Sequence, residues 1–135
     1  MEDEVLTLTN QRRAMGATCG DKTFGPAGPL AANPQLRTAA RGHSTDMGAR
    51  NFFAHANPDG RSPADRAKGA GFASSYVGEN IYAGPKSARE AVDGWMKSPG
   101  HCENIMNPKY RLLGVGYAYT KGSSYGHYWT QDFGG

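Results

Sequence analysis

Five times in this chain asparagine or serine stands directly before proline, and three of these pairs, Asn33-Pro34, Ser62-Pro63 and Ser98-Pro99, read as helix starts. Asparagine and serine accept a hydrogen bond from the unpaired backbone N–H groups of a helix start. Proline at the first helical position gives up only an N–H that has no partner there. Three helix starts are therefore set by local chemistry, whatever the core does. From Asn33 a helix is expected to about Arg50, with Leu36, Ala40, His43 and Met47 forming an apolar stripe that carries one histidine. From Ser62 a short helix should run to about Lys68 before Gly69 and Gly71 end it. From Ser98 another should reach Met106, where Asn107-Pro108 stops it, which sets His101 in its first turn.

Two further helices carry other signals. Residues 2–15 have an acidic start and Arg12-Arg13 near the end, both complementing the helix dipole, with Val5, Leu8 and Met15 close to one face. Ser87-Ala88-Arg89-Glu90 reads as a capping box opening a helix to about Lys97, whose apolar face is Ala88, Ala91, Val92 and Trp95. Between the first helix and Asn33 lie Gly16, Gly20, Gly25, Pro26, Gly28 and Pro29, which predict a long surface loop with at most a brief extended piece. Residues 76–83 read as extended. Leu113, Val115, Tyr117 and Tyr119 alternate before Lys121-Gly122-Ser123-Ser124, and Tyr125, His127, Trp129, Gln131 and Phe133 alternate after it, predicting a β-hairpin. Helices come first and the antiparallel strands late, so the expected class is α+β.

A chain of 135 residues suits one domain, spanning 1–135. Fifteen Lys and Arg against 12 Asp and Glu leave a charge of +3, scattered so that Arg12-Arg13 is the only adjacent basic pair. No strip suits a phosphate backbone, and nucleic acid is not expected as a partner. The mean hydropathy is −0.65, and no apolar run is long enough to span a membrane. Met1-Glu2-Asp3-Glu4 is acidic, the opposite of a secretory signal, and read alone points to the cytoplasm. Cys19 and Cys102 permit one intramolecular bridge or two thiols in a reducing compartment. Nucleophile elbows, phosphate loops, dinucleotide fingerprints and calcium loops are absent from the sequence.

Four blocks place polar residues inside apolar runs: Phe52-Phe53-Ala54-His55, Gly78-Glu79-Asn80-Ile81, the segment from Trp95 through Ser98-Pro99-Gly100-His101-Cys102 to Met106, and Tyr128-Trp129-Thr130-Gln131-Asp132-Phe133. In this order they resemble the CAP superfamily (cysteine-rich secretory protein, antigen 5, pathogenesis-related 1) in its bacterial branch, from about Leu8 to Phe133. The resemblance implies an α-β-α sandwich with a small, mainly antiparallel sheet flanked by helices. It also implies a Cys19–Cys102 disulfide and an extracellular or periplasmic domain whose export signal has been removed.

The family's pocket gathers two histidines and two acidic residues, and some members bind a divalent metal such as zinc. His55 and Glu79 map onto the first histidine and first glutamate. The second glutamate, three residues after the helix tryptophan, falls on Ser98, so the second acid is missing. The histidine of the family's His-Tyr-Thr-Gln block aligns with Tyr128. His127 is one position out, and one residue along a strand turns a side chain to the other face. His101, in the Ser-Pro-Gly-His block that bacterial members share, is the expected substitute. The candidate site is thus His55, Glu79 and His101, with Tyr128 beside the cleft.

His55 and His101 as neutral imidazoles would be zinc ligands leaving an open position for water. Without metal, Glu79 between two imidazoles would be an acid/base candidate. Each residue also has a structural alternative: Glu79 capping backbone N–H groups, His55 capping the turn at Asn57-Pro58-Asp59-Gly60, His101 bonding the backbone, and His43 as a satisfied core histidine. The lost acid and the lack of a nucleophile favour a binding module for a small-molecule, lipid or peptide ligand, and a monomer is expected. A zinc-dependent hydrolase acting on peptide or cell-wall material is the second expectation, and a structural or interaction domain the third.

Overall fold

The computed structural model describes residues 1–135. Helix α1 (Glu2–Met15) is followed by a two-stranded ribbon, β1 (Ala17–Cys19) and β2 (Lys22–Phe24), and by a two-residue strand β3 (Ala31–Ala32). The glycine-rich stretch is thus more ordered than a loop. Gly20, at φ 63°, makes the tight reversal of the ribbon that a side chain would resist. Helices α2 (Pro34–Ala49) and α3 (Pro63–Gly69), strand β4 (Val77–Ala83), helices α4 (Ala88–Met96) and α5 (Pro99–Met106), and strands β5 (Leu112–Tyr119) and β6 (His127–Gly134) complete the chain.

Every expected helix start is present, but the caps differ. Asn33 accepts from the Leu36 amide at 2.9 Å, and Ser62 and Asp65 form a complete capping box. Ser87 accepts from the Glu90 amide, while Glu90 turns to the Ser87 hydroxyl at 3.4 Å rather than to its amide, so only half the expected box forms. Ser98 makes no capping bond at all; its oxygen is engaged by His101.

The main sheet has the order β3-β5-β6-β4, antiparallel except where β3 joins β5. Helices α1, α4 and α5 cover one face, where Trp95, Trp129, Phe133, Val92 and Ile105 form the principal core. Helix α2 covers the other face so closely that a Cβ on Gly114 or Gly116 would run into its backbone at Leu36 and Ala40. That close approach lays His43 and Ser44 directly on the sheet, with Ser44 bonding Thr130 at 2.7 Å and the Gly116 carbonyl at 3.1 Å. The helices and sheet form the expected α-β-α sandwich, of α+β class.

Two details of α1 depart from expectation. Met15 is exposed, and Arg13 is buried in its place. The Arg13 guanidinium donates to the carbonyls of Gly28, Ile105, Asn107 and Tyr110, tying the early loop to the end of α5. A rigid fork of five donors can satisfy several carbonyls at once, so the residue acts as an internal clasp rather than as a dipole partner. A disulfide joins Cys19 to Cys102, with Cα atoms 5.5 Å apart.

Candidate functional site: an imidazole cleft astride an edge strand

Strand β4 lies at the edge of the sheet, and its consecutive residues Glu79 and Asn80 point to opposite faces. Each organises one wall of a cleft. On the α2 side, Glu79 is buried and accepts from His55 Nδ1 at 2.9 Å through Oε1, and from the Arg66 guanidinium at 2.5 Å through Oε2. Arg66, from α3, also donates to the His55 carbonyl and to Asn57 Oδ1, each at 2.7 Å. His43 donates from Nε2 to the Ala54 carbonyl at 2.8 Å, which leaves its Nδ1 to accept from Asn57 at 3.3 Å. The segment carrying His55 is therefore held by one carboxylate, one guanidinium and one neutral imidazole.

On the opposite side, Asn80 donates to the His101 carbonyl at 3.2 Å and to Gln131 at 3.0 Å, and accepts from Asn104 at 3.0 Å. Gln131 in turn donates to Thr9 of α1 at 2.9 Å. His101 Nδ1 meets Ser98 Oγ at 2.8 Å. The outward carbonyls of β4 are closed off by Asn104 on Glu79 and by the Trp95 indole on Ile81. Such cover protects an edge strand from pairing with another chain.

Between the walls lies a cleft of about 460 Å³, lined by Phe53, His55, Ile81, Tyr82, Trp95 and His101 among others. With both Nδ1 atoms engaged, each ring has Nε2 left to meet a ligand. A polar groove of about 670 Å³ runs between α2 and α3, but its charged side chains are already paired, Arg41 with Glu2, Arg61 with Asp59 and Arg66 with Glu79. The imidazole cleft is the better candidate on chemistry.

Electrostatics separate the members. Burial alone would raise the Glu79 pKa; the hydrogen bond from His55, the adjoining Asp132 carboxyl and the Arg66 charge outweigh it and hold the carboxyl below its ordinary value. Burial pushes the His43 imidazole down, only partly opposed by Glu79. Burial and the neighbouring His55 charge also lower His101.

His55 and His101, 46 positions apart in sequence, thus line one cleft, and Glu79 sits behind His55 rather than between the rings. Tyr128 does not line it. The pleat of β6 places Tyr128 on the Glu79 face, but its ring is fully buried against Met47 and Ile81 under α2. His127 lies away from the cleft, bonded to the Tyr117 hydroxyl at 2.7 Å. Sequence reasoning missed Arg66 and Asp132. The latter is fully buried opposite Glu79 on β6, a second carboxyl that the Ser98 departure had seemed to remove. Its one signal was a charge inside an alternating strand; Arg66 gave none beyond its place in a short helix.

Residues 6–133 match the family described as CAP, cysteine-rich secretory protein family. The chain belongs to the CAP family. It is 38% identical over 133 residues to a Bacillus subtilis protein, YkwD, described as uncharacterized; that match covers 98% of this chain and 46% of the relative. The chain therefore spans about half the length of that curated relative. Among solved structures, an extracellular protein containing an SCP domain from Bacillus anthracis superposes with a TM-score of 0.81 at 30% identity, covering 98% of this chain and 39% of that one. An outer surface protein from Borrelia burgdorferi shares the CAP fold at a TM-score of 0.76 and 17% identity, over 98% of this chain and 87% of that one.

Proposed function

We propose that this domain is an extracellular-type binding module whose cleft takes a small-molecule, lipid or peptide ligand. The ligand's apolar body would lie against Phe53, Tyr82 and Trp95, and a polar head would meet Nε2 of His55 and His101. The observation that carries the reading is the anchoring of both rings through Nδ1, by a carboxylate and a hydroxyl, with their other nitrogens left for an otherwise largely apolar cleft. Pockets of this kind, mostly apolar with a few convergent polar groups, are typical of ligand sites. The disulfide supports an oxidising, extracellular or periplasmic location, as does the likeness to the extracellular Bacillus anthracis protein.

A second reading, a zinc-dependent hydrolase acting on peptide or cell-wall material, is favoured by one feature. A carboxylate on the far nitrogen of an imidazole, as on His55, typically orients a metal-binding ring. His55 and His101 would hold the ion, which when bound supplies Lewis acidity. No group of three or more His, Cys, Asp or Glu side chains is arranged to hold a metal ion, and both Glu79 oxygens are engaged. Two imidazoles are one short of the usual catalytic set, so the donors fit an ion only where the ligand or water completes it.

The test is calorimetric titration of the metal-stripped domain with zinc at neutral pH, beside His55→Ala and His101→Ala. Weak or absent zinc binding, together with an imidazole-dependent response to lipid or peptide probes, supports the binding module. Micromolar zinc binding lost in both variants, with turnover of peptide or cell-wall material, replaces it with the hydrolase.

A further inference from the structure

Three buried side-chain atoms have no hydrogen-bonding partner: both carboxyl oxygens of Asp132 and Arg66 Nε. They lie together. Asp132 is directly opposite Glu79 in the β4–β6 register, and cross-strand neighbours on one face are in side-chain contact. Two ionised carboxylates only accept, so these two cannot bond each other unless one carries a proton.

The charges facing the pair come from every packed element. Arg66 of α3 is the buried permanent cation, and it is committed to Glu79 Oε2. His43 of α2 stands 3.9 Å from Glu79 Oε1, and its hydrogen bonds are those of a neutral ring. Asp46 of α2 adds negative charge but is bound to Arg50 and Asn57. His55 meets Glu79 Oε1 from the loop. With both carboxyls ionised, two buried negative charges would face one buried guanidinium, an arrangement that burial and like-charge repulsion both oppose. The same two causes push the Asp132 carboxyl well above its ordinary range, while Glu79 is held low.

We propose that Asp132 is a positioning residue of the cleft, a neutral carboxylic acid that donates its O–H to Glu79 and thereby fixes the carboxylate that orients His55. A second acid therefore stands behind the cleft after all, drawn from β6 instead of the turn after Trp95. Fully buried, it touches no ligand and acts through Glu79 alone. The link to ligand binding rests on the proposed use of His55; the proton assignment does not.

Carbon-13 NMR of the carboxyl groups in the intact domain tests it. One aspartate carboxyl should remain protonated at neutral pH, and that signal should vanish in Asp132→Asn. Asn is neutral and keeps a donor, so the His55 Nδ1 nitrogen shift should stay as in the parent protein, whereas Asp132→Val should move it. A fully ionised set of aspartates at neutral pH overturns the proposal, and this measurement needs no variant to fold. An unmoved His55 signal in a folded Asp132→Val protein overturns the positioning role. No imidazole-dependent response to lipid or peptide probes, with the carboxyl pattern intact, would instead count against the proposed function alone.

Discussion

The two walls of the cleft present the same group, an imidazole with its Nδ1 engaged, but are built from opposite materials. The His55 wall is held by charge: a buried carboxylate, a buried guanidinium and a second carboxyl on the neighbouring strand. The His101 wall is held by neutral amides and a covalent bond, since Asn80, Gln131 and Asn104 fix the first turns of α5, and Cys102, the residue after His101, is tied to β1. One wall should therefore answer to protons and the other to reductant.

The largest effect is expected on the covalent side. Reducing the bridge, or replacing both cysteines by serine, releases a closure between residues 83 apart, and should cost ~4–5 kcal/mol in the chain-entropy picture; denaturant unfolding measures it. Next comes Arg66→Met. It strands Glu79 as a buried charge and frees the carbonyl of His55, with an expected loss of ~3–5 kcal/mol by the same assay. Arg66→Lys should recover little, because one ammonium cannot reach acceptors spread over Glu79, Asn57 and His55 as the fork does.

The proton response has a definite sign. The folded pKa of Glu79 is held below its unfolded value, so its stabilisation is present above the unfolded value and is lost as pH falls through the folded one. Asp132 runs the other way. Its folded pKa is raised, so its contribution is present below the unfolded value and is lost as pH rises through the folded one. Acid unfolding curves should show Glu79→Gln less stable at neutral pH but with a flatter acid limb. Asp132→Asn should gain on the parent protein as pH rises above about 4.

Smaller effects belong to the neutral wall. Asn80→Ala leaves the Gln131 and Asn104 amides short of a partner and should cost ~1–3 kcal/mol without changing the acid limb. Ser98→Ala should cost ~1 kcal/mol or less, since Ser98 makes no capping bond, yet it frees the His101 ring; a broadened His101 resonance with a nearly unchanged melting curve is the expected outcome.

What could be read from the sequence follows the range of the physics involved. Asn33, Ser62 and Ser98 announce helices through contacts within one turn, and all three starts stand where expected. The hairpin was legible because alternation is also local. Ser98 shows the limit: its oxygen serves His101 instead of the helix end, a choice between two nearby partners that spacing does not settle. Arg13 and Asp132 were illegible because most of their partners lie far along the chain. Arg66 was illegible because its partners, though within 13 residues, sit on a loop and a strand that carry no periodic signal toward it. Only strand register and helix docking bring these groups together. Tyr128 fell on the correct face of β6, but the depth of its ring under α2 depends on packing with Met47 and Ile81.

Amide hydrogen exchange, corrected for intrinsic rates, compares the two walls most directly. Residues 51–61 and 98–106 would be followed at neutral pH, at acid pH as it falls through the lowered folded pKa of Glu79, and at neutral pH with reductant. The account predicts that acid loosens 51–61 while sparing 98–106, and that reductant does the reverse. Equal loosening of both segments under either condition would contradict it.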